Sequence, residues 1–77
     1  MKIELYTQEH CGMCKALHMQ LDKLNVDYKN ILIDDSNRQS YIEKGIKTTP
    51  TLVVDNEVFL GTTIKEGVNK IRTSLGR

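Results

Sequence analysis

A chain of 77 residues with 11 basic and 10 acidic side chains is nearly neutral, which argues against the basic surface of a nucleic-acid-binding domain. This length allows one domain, expected over residues 1–77, with a core too thin to enclose a large cofactor. The longest apolar runs are three residues, far short of the roughly 20 that span a membrane. Glu4 stands where an export signal would be apolar, so we expect a cytoplasmic protein.

The first part of the chain follows a strand–helix–strand pattern. Residues 2–6 alternate polar and apolar side chains, as a half-buried strand does, and residues 7–10 form a loop. From Met13 onward, apolar residues recur every three or four positions, which predicts an amphipathic helix that ends at Asn25. Residues 27–33 predict a second strand. Such a unit places its two strands parallel to each other, with a right-handed crossover.

A short second helix is predicted after this unit. Ser36 and Gln39 match a capping box, in which two backbone N–H groups at a helix start are each bonded by a side chain. Gly45 followed by the apolar Ile46 is typical of a left-handed helix end. The helix is therefore expected between these two signals.

The last part of the chain predicts a hairpin and a third helix. Residues 51–60 contain two β-rich runs separated by the turn pair Asp55-Asn56. Thr63 and Glu66 match a second capping box, and an amphipathic pattern follows it. The predicted order is β-α-β-α-β-β-α, an α/β fold with a four-stranded mixed sheet flanked by three helices.

The chemistry of the sequence is concentrated in Cys11-Gly12-Met13-Cys14, which directly follows a predicted strand and opens a predicted helix. Haem attachment requires a histidine after the second cysteine, where this chain has Lys15. A structural zinc site needs four ligands, and the second pair would have to be His10 and His18, which are too local in the chain to organise a fold. A C-x-x-C in a strand–helix–strand unit favours redox chemistry without a metal or a permanently bound cofactor.

The helix start assigns a role to each cysteine. Free N–H groups and the positive end of the helix dipole stabilise a thiolate, so Cys11 is the predicted nucleophile. Cys14 lies about one turn further on the same face, from which it can resolve a mixed disulfide. Gly12 removes side-chain bulk beside the sulfur, and Met13 is a candidate contact residue for a partner.

Two histidines flank the cysteines and have alternative interpretations. His10 could exchange protons with Cys11, but its position alone favours a solvated loop residue. His18 lies four residues from Cys14, so a shared metal is geometrically feasible. Because the other ligands are missing, we expect His18 to be an ordinary surface residue. Lys15 could support the thiolate or simply be exposed on the helix.

Three features together resemble a glutaredoxin or a glutaredoxin-like redoxin: the Cys11–Cys14 motif, Thr48-Thr49-Pro50 before the third strand, and Gly61 before the last helix. The glutaredoxin-like group includes the NrdH-redoxins, which reduce ribonucleotide reductase. The resemblance implies a minimal thioredoxin fold with a cis bond before Pro50, which faces the cysteines. It also implies that the Thr49 backbone is open to an extended substrate.

By this resemblance the chain is a monomeric thiol-disulfide oxidoreductase that reduces protein or small-molecule disulfides. Many glutaredoxins carry Lys or Arg at the position of Gln8, and a second Gly and an Asp near Gly61, where this chain has Thr62 and Thr63. Both differences favour thioredoxin reductase over glutathione as the electron source. The alternative is a module that binds an iron–sulfur cluster. The residues implied in substrate binding are Gly12, Met13, Thr49, Pro50, Gly61 and Thr62.

Overall fold

The computed structural model describes residues 2–76, so the outermost residue at each end of the predicted domain, 1–77, lies outside the described part. The predicted order of strands and helices is confirmed. No helix within residues 2–76 has the length and hydropathy needed to cross a membrane. The elements are β1 (Ile3–Thr7), α1 (Gly12–Lys23), β2 (Lys29–Leu32), α2 (Arg38–Glu43), β3 (Thr51–Val54), β4 (Glu57–Leu60), a 3₁₀ turn (Gly61–Thr63) and α3 (Ile64–Ser74).

The four strands form one mixed sheet in the order β2-β1-β3-β4. Strands β1 and β2 are parallel, as the predicted crossover unit requires, whereas β3 runs antiparallel to both β1 and β4. In the register of the central pair, Leu5 lies opposite Leu52. The central strand β1 therefore ends at Thr7, directly before the loop that carries the cysteines.

One face of the sheet carries the main hydrophobic core, which α1 and α3 cover. Leu5 and Leu52 from the sheet and Leu21 from α1 are completely buried there. Truncating such a leucine to alanine typically costs about 2–5 kcal/mol, because transfer energy is lost and a cavity remains. This packing holds α1, and with it the cysteine pair, against the sheet. The core residues are Ile3, Leu5, Leu17, Leu21, Leu52, Val54, Phe59, Val68 and Ile71.

The opposite face carries a smaller cluster, built around Tyr6 and covered by α2. The rings of Tyr6 and Tyr41 meet edge to face, with their centroids 5.1 Å apart. Burial raises the pKa of the Tyr6 hydroxyl, and the nearby Glu4 carboxylate raises it further. Tyr6 thus serves this second layer of packing, together with Ile33, Ile46 and Val53.

Several turn residues adopt a left-handed backbone, as the sequence predicted for Asn25 and Gly45. Asn25 has a φ of 55° after α1, and Asp55 and Asn56 have φ values of 50° and 71° between β3 and β4. Gly45 has a φ of 91° after α2, and the next residue, Ile46, donates its N–H to the carbonyl of Tyr41 at 2.9 Å. The predicted helix end at Gly45 is confirmed.

The capping box predicted at Ser36 and Gln39 is wrong. Helix α2 begins at Arg38, and the acceptor in the preceding turn is Asp34, whose Oδ1 accepts from the backbone N–H groups of Ser36 and Asn37 at 2.9 and 3.2 Å. A carboxylate is a stronger acceptor than a hydroxyl, so the turn forms around Asp34. The hydrogen bond from the Ser36 side chain contributes most to lowering the pKa of Asp34.

The second capping box, at Thr63 and Glu66, is also wrong. The Thr63 hydroxyl accepts from the Leu60 N–H at 2.9 Å and donates to the Leu60 carbonyl at 2.8 Å. It therefore points back to the end of β4 and closes the 3₁₀ turn, in which Gly61 has a φ of 59°. Since its hydroxyl is used there, Thr63 makes no side-chain cap for α3.

Candidate active site

The cysteine pair lies at the junction of a strand-to-helix loop and the first turn of α1. His10, at the end of the loop, has a φ of 59°, and Cys11 is the N-cap of α1 with an extended backbone. Cys11 and Cys14 are joined in a disulfide, with Cα atoms 5.3 Å apart. The N–H of Cys14 also donates to Sγ of Cys11 at 3.1 Å. The helix N-terminus is thus directed at the Cys11 sulfur.

The two cysteines differ in their exposure to solvent. Cys14 is only 3% exposed and belongs to the buried side of α1, whereas Cys11 is partly exposed. Gly12 is exposed between them, and Met13 is 70% exposed. A partner approaching this end of the molecule therefore meets Cys11 and Met13 before it meets Cys14.

A groove of about 500 Å³ lies between α1 and α3 next to the cysteine pair. It brings together four of the six residues that the sequence predicted for substrate binding, Met13, Pro50, Gly61 and Thr62. Its remaining lining is mostly apolar and comes from the facing sides of the two helices. The sequence did not single out these residues for binding: the periodicity of Leu17, Ile64 and Val68 indicated only helix packing, and Ala16, Gln20 and Lys65 belong to no motif.

The other two predicted residues do not line this groove. Gly12 lines a neighbouring cavity with the cysteines, and Thr49 lies against the loop after β1. The Thr49 hydroxyl donates to Oε1 of Gln8 at 3.0 Å, and the Thr49-Pro50 peptide bond is cis. No hydrogen bond among residues 2–76 uses the backbone N–H or carbonyl of Thr49.

The cavity beside the disulfide, of about 430 Å³, includes both histidines among its lining residues. His10 is exposed, as expected for a loop residue. His18 is half-buried, and its Nδ1 lies 2.9 Å from the Tyr28 hydroxyl, so the prediction of an ordinary surface residue is wrong. Tyr28 in turn donates to Oδ1 of Asp22 at 3.0 Å. In the sequence, only the spacing of His18 and Asp22, four residues apart on one helix, points to this network.

Comparison with known proteins identifies the family of this scaffold. The sequence model of the Glutaredoxin family matches residues 3–59, a span that includes the cysteine pair and the Thr49-Pro50 turn. The chain belongs to the glutaredoxin family. A C-x-x-C disulfide in a glutaredoxin scaffold makes the protein a thiol-disulfide oxidoreductase.

Relatives of this glutaredoxin-family chain include proteins named as thioredoxins. A thioredoxin of Methanocaldococcus jannaschii is 33% identical over 76 residues, which cover 87% of this chain and 86% of that protein. The crystal structure of the thioredoxin-like protein BC3987 superposes with a TM-score of 0.75 at 32% identity, covering 88% of this chain and 97% of the other. The expected thioredoxin-like α/β fold is therefore confirmed.

A solved glutaredoxin has the same fold at lower identity. Glutaredoxin 1 from Francisella tularensis, crystallised with cacodylate, superposes with a TM-score of 0.74 at 24% identity. The alignment covers 94% of this chain and 96% of that glutaredoxin. At this identity the likeness concerns the fold alone.

The described part of this glutaredoxin-family chain offers few ligands for a metal. Within residues 2–76, no group of three or more His, Cys, Asp or Glu side chains is arranged to hold an ion. An iron–sulfur cluster is held by several thiolates, usually four. The side chains described here do not fit a cluster bound by one copy of the chain.

Proposed function

We propose that this protein reduces disulfide bonds by dithiol exchange, with Cys11 as the nucleophile and Cys14 as the resolving thiol. The observation that carries the proposal is the asymmetry of the pair. Cys11 is partly exposed and its sulfur accepts a hydrogen bond from the start of α1, whereas Cys14 is buried. Hydrogen bonding and the helix dipole favour the thiolate at Cys11, and thiolate is the attacking form.

The proposed cycle proceeds in two exchanges. The Cys11 thiolate attacks one sulfur of a substrate disulfide, forms a mixed disulfide and releases the first substrate thiolate. Cys14 loses its proton and attacks Sγ of Cys11, so the mixed disulfide breaks and the second substrate thiolate leaves. The two electrons gained by the substrate come from the cysteine pair, which ends as the observed disulfide. No permanently bound cofactor is required.

The groove and the Thr49 turn support an extended protein segment as the substrate. The groove is mainly apolar and opens beside Met13, whose flexible thioether suits an adaptable contact. The Thr49 N–H and carbonyl are unused within residues 2–76 and can pair with a peptide backbone in the manner of strand addition. Gly12 leaves room for that backbone near the sulfur, since a Cβ there would contact nothing within 4 Å.

The surroundings of the pair favour thioredoxin reductase over glutathione as the electron source. Glutathione carries two carboxylates, which need donors or cations. Gln8 is neutral, and its amide oxygen already accepts from Thr49. The Thr63 hydroxyl is bonded to Leu60 on both its donor and acceptor sides. Neither of these groups offers the charge that would hold a carboxylate firmly.

The proposed cellular setting follows from the same chemistry. We place the protein in the cytoplasm as a monomer, where reducing systems keep thiols free and can recycle a dithiol carrier. The likeness to NrdH-redoxins makes ribonucleotide reductase a candidate substrate among proteins that form disulfides during turnover. Small-molecule disulfides remain within reach of the partly exposed Cys11.

The roles of the cysteines are tested by substitution. Cys11→Ser should abolish reduction of a protein disulfide, because no nucleophile remains at the start of α1. Cys14→Ser should still form a mixed disulfide with Cys11, detectable by mass, but it should lose dithiol turnover with the reductase. Full turnover by Cys11→Ser would contradict the proposal.

The electron source is tested by supplying one reducing system at a time. Turnover of the wild-type protein is followed with NADPH and thioredoxin reductase, and separately with glutathione and glutathione reductase. We expect the first system to sustain faster turnover at equal protein concentration. Faster turnover with glutathione would reverse the assignment of the reductant while leaving the dithiol mechanism in place.

The iron–sulfur alternative has weaker support. A cluster shared by two copies would take one thiolate, Cys11, from each chain and would need glutathione for the remaining positions. Cys14 is placed to form a disulfide with Cys11, which competes with such binding. Anaerobic reconstitution with iron and sulfide should leave a colourless monomer, and a coloured dimer would support the alternative.

A further inference from the structure

Because Cys14 is buried, its attack on the mixed disulfide needs a group that takes up its proton. The inference drawn from this need rests on the proposed function. Cys14 is only 3% exposed. Burial disfavours a charged thiolate, so in the reduced protein this thiol should carry its proton until it attacks. Resolution of the mixed disulfide therefore needs a group near Cys14 that accepts a proton.

Three side chains with titratable nitrogens line the same cavity as Cys14: His10, Lys15 and His18. His10 and Lys15 are exposed, and among the described residues 2–76 a side-chain hydrogen bond anchors only His18 of these three. His18 is half-buried and lies four residues after Cys14 on α1. Residues at this spacing lie on the same helix face, with Cβ atoms about 5–6 Å apart.

The Tyr28 hydroxyl fixes both the orientation and the tautomer of His18. Tyr28 packs against the main core, and its ring centroid lies 5.8 Å from that of His18. Its hydroxyl proton goes to the Asp22 carboxylate, which as an anion can only accept. The contact between Nδ1 of His18 and this hydroxyl is then a donation from the imidazole. In the neutral ring this leaves Nε2 as a free acceptor.

The protonated state of Tyr28 supports this direction of donation. Burial raises the pKa of the Tyr28 hydroxyl, and its hydrogen bond to Asp22 and the charge of that carboxylate raise it further. Tyr28 therefore keeps the proton that it donates to Asp22 at neutral pH. The chain from Asp22 through Tyr28 holds His18 as an oriented base beside the cysteine pair.

We propose that Nε2 of His18 accepts the proton of Cys14 as the mixed disulfide is resolved. The S–H bond of Cys14 breaks as Nε2 of His18 gains the proton, and the Cys14 sulfur forms a bond with Sγ of Cys11. The bond between Cys11 and the substrate breaks, and the substrate leaves as a thiolate that is protonated by His18 or by water. One proton and two electrons are thus fully accounted for in this step.

The role of His18 as proton acceptor makes the step dependent on pH, and several titratable groups face this side chain. On its own helix His18 faces Asp22, Lys15 and the cysteine pair, and from the segment before β2 it faces Tyr28. From the loop after β1, His10 lines the same cavity. An imidazolium cannot accept a proton, so resolution should slow in acid once His18 is protonated.

The test separates the two exchanges in a single turnover of the reduced, full-length protein. Dithiobis-nitrobenzoate releases one coloured aromatic thiolate when Cys11 attacks and a second when Cys14 resolves the mixed disulfide. Stopped-flow absorbance at a series of pH values measures both phases for the wild type and for His18→Gln. His10→Gln is the matched control, because it removes the exposed histidine of the same cavity.

We expect His18→Gln to leave the first phase within about twofold of the wild type and to slow the second by about tenfold to a hundredfold. The variant should also lose the acid inflection of the second phase, whereas His10→Gln should keep both phases and the inflection. Tyr28→Phe retains the base without its anchor, so it should slow the second phase less and keep the inflection.

Three results would overturn the assignment of His18 or of the cycle itself. An unchanged second phase in His18→Gln removes the role of this base. Equal slowing of both phases, with a lower unfolding temperature, makes His18 a structural residue only. A wild-type protein that releases no second thiolate contradicts the dithiol cycle, which is a failure of the proposed function and not of the histidine assignment.

Discussion

The backbone N–H of Cys14 donates a hydrogen bond to Sγ of Cys11 over 3.1 Å. The first turn of α1 thereby donates one N–H to the sulfur of Cys11. Because a helix N-terminus favours negative charge, the reduced protein should carry its thiolate at Cys11. The fold also buries Cys14, which strengthens the difference between the two thiols.

This difference predicts selective alkylation of the reduced protein. Iodoacetamide at neutral pH should modify Cys11 at least about tenfold faster than Cys14, since reaction follows both thiolate content and access. Peptide mass spectrometry of samples quenched over time measures the two rates. The Cys11→Ser variant provides the control rate for Cys14 alone. Preferential modification of Cys14 would contradict the proposed roles.

The second prediction concerns the stability of a variant at Gly67, where α3 approaches the sheet closely. A Cβ on Gly67 would lie 2.8 Å from Cδ2 of Phe59 and 3.0 Å from Cδ2 of Leu52. Both neighbours are buried and have little room to move. We expect Gly67→Ala to lower the free energy of unfolding by about 1–2 kcal/mol, because overpacking outweighs the better helix propensity of alanine. Urea unfolding followed by circular dichroism measures the change.

The matched control for Gly67→Ala is Gly12→Ala. Gly12 is also helical, but a Cβ there would contact nothing within 4 Å. The urea midpoint of Gly12→Ala should be equal to or higher than that of the wild type. If both variants are equally destabilised, the effect cannot come from the contact with Phe59.

The fold could be predicted where local signals agree with one another. The apolar spacing of α1, the turn pair Asp55-Asn56 and the glycine at residue 45 each depend on a few neighbouring residues, and the structure has all three. The cysteine pair can be predicted in the same way, because its spacing and its position after a strand are both visible in the chain. Features that depend on a few neighbouring residues can therefore be predicted from the sequence alone.

Local patterns fail to predict the structure where two groups compete for one partner or where distant residues meet. Ser36 matched a capping box, but Asp34 offers a stronger acceptor to the same turn. The Thr63 hydroxyl turned back to Leu60 and not forward to α3. The contact between His18 and Tyr28 depends on how the chain returns after α1, which no short pattern reports.

Asp34 predicts a dependence of stability on pH. Its pKa is lowered from the usual 3.8, first by the Ser36 side chain, so the fold prefers the ionised carboxylate. That preference stabilises the protein above the unfolded pKa and is lost as the pH falls through the lower, folded pKa. Asp34→Asn should therefore be less stable than the wild type at about pH 6, and the difference should shrink in acid below about pH 4.

Urea unfolding at several pH values measures the effect of Asp34→Asn. Ser36→Ala tests its cause, because that variant removes the hydroxyl that lowers the Asp34 pKa most. In this variant the pKa of Asp34, measured from its carboxyl signal in a pH titration by NMR, should move toward the usual 3.8. A difference between Asp34→Asn and the wild type that grows in acid would have the wrong sign for this account.

Gln8 predicts a gain of function with glutathione. Its side chain lies between Thr49 and the cavity beside the cysteines, at the position where many glutaredoxins carry a cation. Gln8→Lys should lower the KM for glutathione by up to about fivefold, since a partly exposed charge pair contributes roughly 0.2–1 kcal/mol. Glu9→Gln is the control, because it raises the net charge by the same single unit at the exposed neighbouring residue. If both variants lower the KM equally, general attraction explains the change, and Gln8 does not determine the choice of reductant.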